Sequence, residues 1–115
     1  MKDCSSASVG HITNLHMDPS APASGQYAVV TVDYTLDTPV TEGKAKYEVS
    51  FNGFPLTPTV NDLCTDVDCP LVTGPNQYQT AFQMGDGTTH GTLVTSVTWS
   101  SPDAEILCWG FTVRI

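Results

Sequence analysis

Four cysteines and three histidines are the residues of this chain best equipped for chemistry, and their spacing limits what they can do. In DLCTDVDCPLVTG, Cys64 and Cys69 enclose four residues, which is neither the C-x-x-C of redox motifs nor the spacing of a typical zinc knuckle. Cys4 and Cys108 lie near opposite ends. A zinc site would need all four to converge. Pairing Cys64 with Cys69 and Cys4 with Cys108 needs only a local loop closure and a clamp between the first and last strands. The disulfide reading is therefore preferred, with free or metal-bound thiols as the alternatives. In the chain-entropy model the long bridge contributes about 4 to 5 kcal/mol and the short one about 2, and such bridges imply an oxidising compartment. His11 and His16 are separated by an odd offset, which on a regular strand puts them on opposite faces and argues against a two-histidine metal site. The chain has no G-x-S-x-G elbow, no Gly-rich phosphate loop, and no evident nucleophile once the cysteines are paired. Neither catalysis, nor a metal, nor a cofactor is expected.

The elements that must position these residues repeat with period two. In QYAVVTVDYTLD, Ala28, Val30, Val32, Tyr34 and Leu36 share one side while Thr31, Asp33 and Thr35 face away. KAKYEVSF sets Ala45, Tyr47, Val49 and Phe51 against Lys46, Glu48 and Ser50. YQTAFQM offers Tyr78, Thr80, Phe82 and Met84; LVTSVTW offers Leu93, Thr95, Val97 and Trp99; ILCWGFTVRI offers Leu107, Trp109, Phe111, Val113 and Ile115. SVGHITNLHM is a weaker first strand with Val9 and either Ile12 or His11 inward. Turn-rich segments at 18–25, 38–43, 53–58, 85–91 and 100–105 separate the runs. No convincing helix is present. The pattern predicts an all-β sandwich of six or seven short strands in a single domain over 1–115.

The 115 residues carry a formal net charge of -8, which repels phosphate backbones and anionic membrane surfaces at neutral pH and excludes nucleic acid as a partner. In an acidic lumen the charge falls as carboxylates take up protons and His11, His16 and His90 gain charge. No run reaches the roughly 18 to 20 apolar residues needed to cross a bilayer. Met1-Lys2-Asp3-Cys4 has no signal-like apolar segment, so a secreted form is expected to have lost its leader, with Met1 an added start residue.

KDC at the start, GKA before a strand, NGFPL, DLC-x4-CPL, the following G...Y, VTW and the closing CWGFTVRI together resemble the ML lipid-recognition family. The resemblance runs from Lys2 to Ile115. It is closest to the family's Niemann-Pick type C cholesterol-transfer branch, and DLC-x4-CP is also similar to fungal and plant phospholipid-transfer members. It implies an immunoglobulin-like sandwich of two antiparallel sheets, with six to eight strands, and structural disulfides in the pairing given above. One departure stands out: the cholesterol-transfer branch carries a third disulfide in the loop after the first strand, where this chain has DPSAPASG.

Read alone, the inward aromatics describe an ordinary core. The resemblance implies more, namely an apolar cavity between the sheets that accepts a sterol or a phospholipid tail. Its walls are Val30, Val32 and Tyr34; Tyr47 and Phe51; Phe82 and Met84; Leu93, Val97 and Trp99; and Trp109, Phe111 and Val113. Its mouth is the apolar turn Phe54, Pro55 and Leu56 together with MGDGTTHG, where Asp86 and His90 take positions that are apolar in the cholesterol carrier. Asp86 and His90 are thus either solvated turn residues or a polar rim that meets the lipid head and tunes release as histidine titrates. Lys44 and Lys46 read as solubilising strand residues, with contact to an anionic head group as the alternative.

The implied function is a monomeric lipid carrier exchanging its ligand with donor and acceptor membranes or a membrane-protein acceptor, in the secreted or endosomal/lysosomal lumen. No N-x-S/T acceptor is present, which favours secretion over delivery by mannose tags. The alternative is a ligand-free adhesion or interaction module of the same fold.

Overall fold

Because β-branched and aromatic side chains alternate with polar ones, each strand has one face that leaves water and one that keeps it. The computed structural model describes residues 2–5, 9–88 and 90–115. Its elements are β1 (Lys2–Asp3), β2 (Gly10–Asp18), β3 (Tyr27–Leu36), β4 (Lys44–Phe51), β5 (Phe54–Pro55), β6 (Thr59–Asp62), α1 (Leu63–Asp66), β7 (Gly74–Gln83), β8 (Thr92–Ser100) and β9 (Glu105–Arg114). One antiparallel sheet runs β1-β9-β8-β4-β5, with β6 also paired to β4; the other runs β2-β3-β7. The expected two-sheet sandwich is present.

Register stacks the inner face of the larger sheet in rows. Ala45, Trp99 and Leu107 lie side by side, then Tyr47, Val97 and Trp109, then Val49, Thr95 and Phe111, then Phe51, Leu93 and Val113. The smaller sheet answers with Met17, Val30 and Thr80, then Leu15, Val32 and Tyr78, then Ile12, Tyr34 and Asn76. Edge-to-face aromatic contacts join the two layers: Trp99 meets Tyr34 and Tyr78, and Phe82 meets Trp109 and Phe111. Such pairs contribute about 0.5 to 1.5 kcal/mol each beyond the area they bury. Gly110 sits where the strands press closest, since a Cβ there would stand 2.5 Å from the Thr95 carbonyl oxygen.

Three differences from the sequence reading have physical causes. The segment 53–58, expected to be a turn throughout, contains β5. Asn52 and Gly53 have φ of 51° and 84°, which closes a two-residue hairpin of the kind Asn-Gly favours, so Phe54 pairs directly with Phe51. Together with β6 and the short β1, this raises the strand count among the described residues to nine.

The second difference is α1, a single helical turn where no helix was expected. Buried Leu63 anchors it, and its end is closed by the Val67 N–H donating to the Leu63 carbonyl at 3.0 Å.

The third corrects the histidine argument. A bulge between Ile12 and Asn14 shifts the register, so His11 faces Thr35 and His16 faces Thr31, and both histidines point outward rather than to opposite faces. Four residues along β3 separate their partners by about 13 Å, still too far for one metal ion. Ile12, not His11, packs against the core; His11 Nε2 lies 2.8 Å from Asp37 Oδ2 at the surface.

Candidate functional site

The interior brings most of the expected wall residues together. Val30, Val32 and Tyr34 are buried on β3, Val97 and Trp99 on β8, and Trp109, Phe111 and Val113 on β9, with Met84 buried just past β7. Tyr47, Phe51, Phe82 and Leu93 are partly exposed at its margins. Trp99 and Trp109 are both 0% exposed, and among the described residues neither indole N–H finds a hydrogen-bond acceptor. Two buried donors without partners are costly in an apolar interior, on the order of 1 to 3 kcal/mol each.

The expected mouth residues are placed differently. Phe54 is 75% exposed and Leu56 is 53% exposed. Phe54 pairs with inward Phe51 at the end of β4, whereas Pro55 and Leu56 line an outward groove with Glu48, Ser50 and Val94. Asn52 ties this turn to the start of β8: its N–H donates to the Thr92 carbonyl and its Oδ1 accepts from the Thr92 N–H, each at 2.9 Å. The described end of the 85–91 loop, Gly91, is thereby held beside the turn. Within it, Asp86 Oδ1 accepts from the Thr88 N–H and hydroxyl at 2.9 and 2.7 Å, a turn-stabilising role. His90 is exposed.

A second region was not anticipated. Between α1 and β7 runs a groove of about 420 Å³, whose lining includes Tyr34, Asp66, Asp68, Asn76 and Tyr78. Tyr47 reaches it by donating its hydroxyl to Asp66 Oδ2 at 2.6 Å. Burial first, and the Asp66 carboxylate second, hold the Tyr47 phenol far above its ordinary ionisation range. Burial alone pushes Tyr34 up to about 12. The groove is positioned by the Cys64–Cys69 disulfide, which spans the end of α1, while Cys4–Cys108 clamps β1 to β9. DLC-x4-C therefore does more than close a loop: it presents Asp66 and Asp68 to the tyrosines. The three aspartates in 62–68 were the available signal, although only the fold shows that Asp62 is taken up by Lys44 while the other two face the groove.

A family model described as the ML domain matches residues 1–115. The chain belongs to the ML-domain family. A Dictyostelium discoideum protein named as a candidate phosphatidylglycerol/phosphatidylinositol transfer protein is 30% identical over 84 residues, covering 70% of this chain and 58% of that protein. The chain thus spans under two thirds of that relative's length. Among solved structures, a Niemann-Pick type C2 protein from the Japanese carpenter ant superposes with a TM-score of 0.73 at 22% identity, covering 99% of this chain and 97% of the other. The C-terminal domain of Wzt gives 0.64 at 10% identity, covering 93% and 73%. Both establish the sandwich fold. These ML-domain likenesses are to binding and transfer proteins, not to enzymes.

Proposed function

We propose that this ML-domain protein is a lipid carrier that holds an apolar tail between its two sheets. The observation that carries the reading is the construction of the interior: among the described residues every strand belongs to one sheet only, and the apolar faces of the two sheets meet through side-chain packing alone. Layers that share no strand can part by a few ångströms without breaking a ladder. A tail entering between them exchanges water for Val30, Val32, Val97, Trp109, Phe111 and Val113, at roughly 25 cal/mol per Å² buried. Tyr34, Tyr47, Phe51, Phe82, Met84, Leu93 and Trp99 complete the walls. The two unpartnered indole N–H groups offer a hydroxyl or ester oxygen of the ligand a place to accept.

Phe54, Pro55 and Leu56 supply the exposed apolar edge that meets a donor or acceptor membrane, with Asp86 and His90 as the polar rim beside it. A sterol or phospholipid of about 30 heavy atoms, at about 0.3 kcal/mol per atom, binds at submicromolar strength, which still permits release. The two disulfides suit a monomer working in an oxidising lumen or outside the cell.

Native mass spectrometry after exposure of the oxidised protein to a mixed lipid extract tests the reading. The expected result is one discrete sterol or phospholipid adduct, lost in Val97→Phe, which adds bulk where the tail would lie, with circular dichroism checking the fold of the variant. A folded wild-type protein without any adduct returns the chain to the ligand-free module.

A further inference from the structure

The α1–β7 groove is chemically one-sided. Among the described residues, its only charged lining groups are the carboxylates of Asp66 and Asp68. Asn76 spends its amide N–H donors on the carbonyls of Val72 and Gly74, at 2.9 and 3.1 Å, which leaves its Oδ1 to accept. Thr65 donates its hydroxyl to the Asp62 carbonyl at 2.6 Å, again leaving lone pairs. Asp66 uses one oxygen on Tyr47 and keeps the other. Asn76, Thr65 and Asp66 thus present oxygens, while Gln77 and Gln79 each commit an amide N–H to β3, to Asp33 and Thr31.

Tyr34 supplies an independent sign of a ligand. Its side chain is only 2% exposed, lines the groove, and makes no hydrogen bond among the described residues. A phenol so placed is satisfied by a group that enters from outside.

We propose that the groove between α1 and β7 binds a primary ammonium group, held by Asp66 and Asp68 through charge and by Asn76 and the Tyr34 hydroxyl through N–H···O bonds. A primary ammonium carries one positive charge and three donors, matching two carboxylates and a ring of acceptors. A quaternary ammonium has the charge without the donors. A calcium ion needs six to eight oxygens at 2.3 to 2.6 Å, whereas this groove is far wider than one ion and one of its carboxylate oxygens is already bound to a phenol. An anionic phosphate would face two carboxylates and no cation. With a lipid as the source, which rests on the carrier reading, the class is an ethanolamine-type head group, opposite in charge preference to the lipids in the name of the Dictyostelium relative. A free alkylamine is the other source of the same chemistry.

The test is a ¹⁵N-resolved NMR titration of the oxidised protein at constant ionic strength with ethylammonium, tetramethylammonium and calcium, followed by dihexanoyl phosphatidylethanolamine and dihexanoyl phosphatidylglycerol. Ethylammonium is expected to give saturable shifts at 65–68 and 76–78, about tenfold stronger than tetramethylammonium, with calcium inert. Phosphatidylethanolamine is expected to bind about tenfold tighter than phosphatidylglycerol. Asp66→Asn with Asp68→Asn should abolish the ethylammonium shifts and the lipid preference while leaving phosphatidylglycerol binding at least as strong. The amide oxygen that this variant carries at position 66 still accepts from Tyr47, and circular dichroism checks the fold. If ethylammonium shifts the groove but no lipid binds, the site takes a free amine and the carrier reading falls. If both lipids bind equally and ethylammonium is silent, the ammonium inference is overturned and the carrier stands. Groove shifts from calcium, or equal shifts from both ammonium ions, also overturn it.

Discussion

The Asn52–Leu56 turn and the α1–β7 groove lie toward opposite ends of β4 and are made of opposite materials. The first pushes Phe54 and Leu56 into solvent on a hairpin without a charged residue. The second sets a half-buried and an exposed carboxylate beside buried phenols, next to a disulfide. One end shows apolar side chains to water, and the other gathers acceptor oxygens. An amphiphile lying between the sheets would find a suitable environment at each end, which a uniformly apolar sandwich would not offer.

The largest way to break this contrast is to remove the ring that serves each end. Trp99→Ala should cost about 3 to 5 kcal/mol in urea unfolding, and Trp109→Ala about the same. Their local effects should differ, because Trp99 touches Tyr34 and Tyr78 whereas Trp109 touches Phe82. Amide exchange should quicken around Tyr78 only in the first variant and around Phe82 only in the second. Equal loss of protection at both ends in both variants would show one undivided core.

A smaller effect comes from alkali. The Tyr34 phenol rises from 10.0 to about 12 on folding, so its neutral form is favoured in the native state. Its contribution is complete below pH 10, declines as pH rises toward 12, and is gone above that; Tyr47, raised further, acts in the same direction. The midpoint of thermal unfolding should therefore fall between about pH 9 and 11.5, and fall less in Tyr34→Phe. A flat profile in the wild type would place the phenols in water.

The smallest effect on stability is expected at the turn. Phe54→Ser should change unfolding free energy by less than about 0.5 kcal/mol, because the ring is already exposed. It should nevertheless slow lipid transfer from vesicles severalfold. Unchanged transfer would remove the turn from the membrane contact and leave the groove as the functional end.

The sandwich was legible because inward positions alternate over eight to ten residues in β3, β4, β8 and β9, and that periodicity survives any tertiary detail. The bulge in β2 was not, since Ile12, Leu15 and Met17 all face inward only if one residue is skipped, and nothing in SVGHITNLHM marks Thr13 as the extra one. The cysteine pairs were legible from spacing and resemblance. The groove was not, because Asp66 and Asp68 meet Tyr34 and Asn76 only across two elements far apart in sequence. Phe54 and Leu56 were read as apolar mouth residues, yet the hairpin that pairs Phe54 with Phe51 and leaves the Phe54 and Leu56 side chains exposed depends on the left-handed backbone at Asn52 and Gly53.

The interrupted pairing along β4 has a further consequence. Its outer neighbours are two short strands rather than one long one, and Pro55 and Pro58 withhold backbone donors along that rim. A continuous free rim beside so many β-branched residues would invite another chain to add a strand, the first step toward fibrils. Broken pairing, proline and mutual repulsion between copies of charge -8 work against such growth. The molecule can end its larger sheet at β4 without offering a template for its own aggregation.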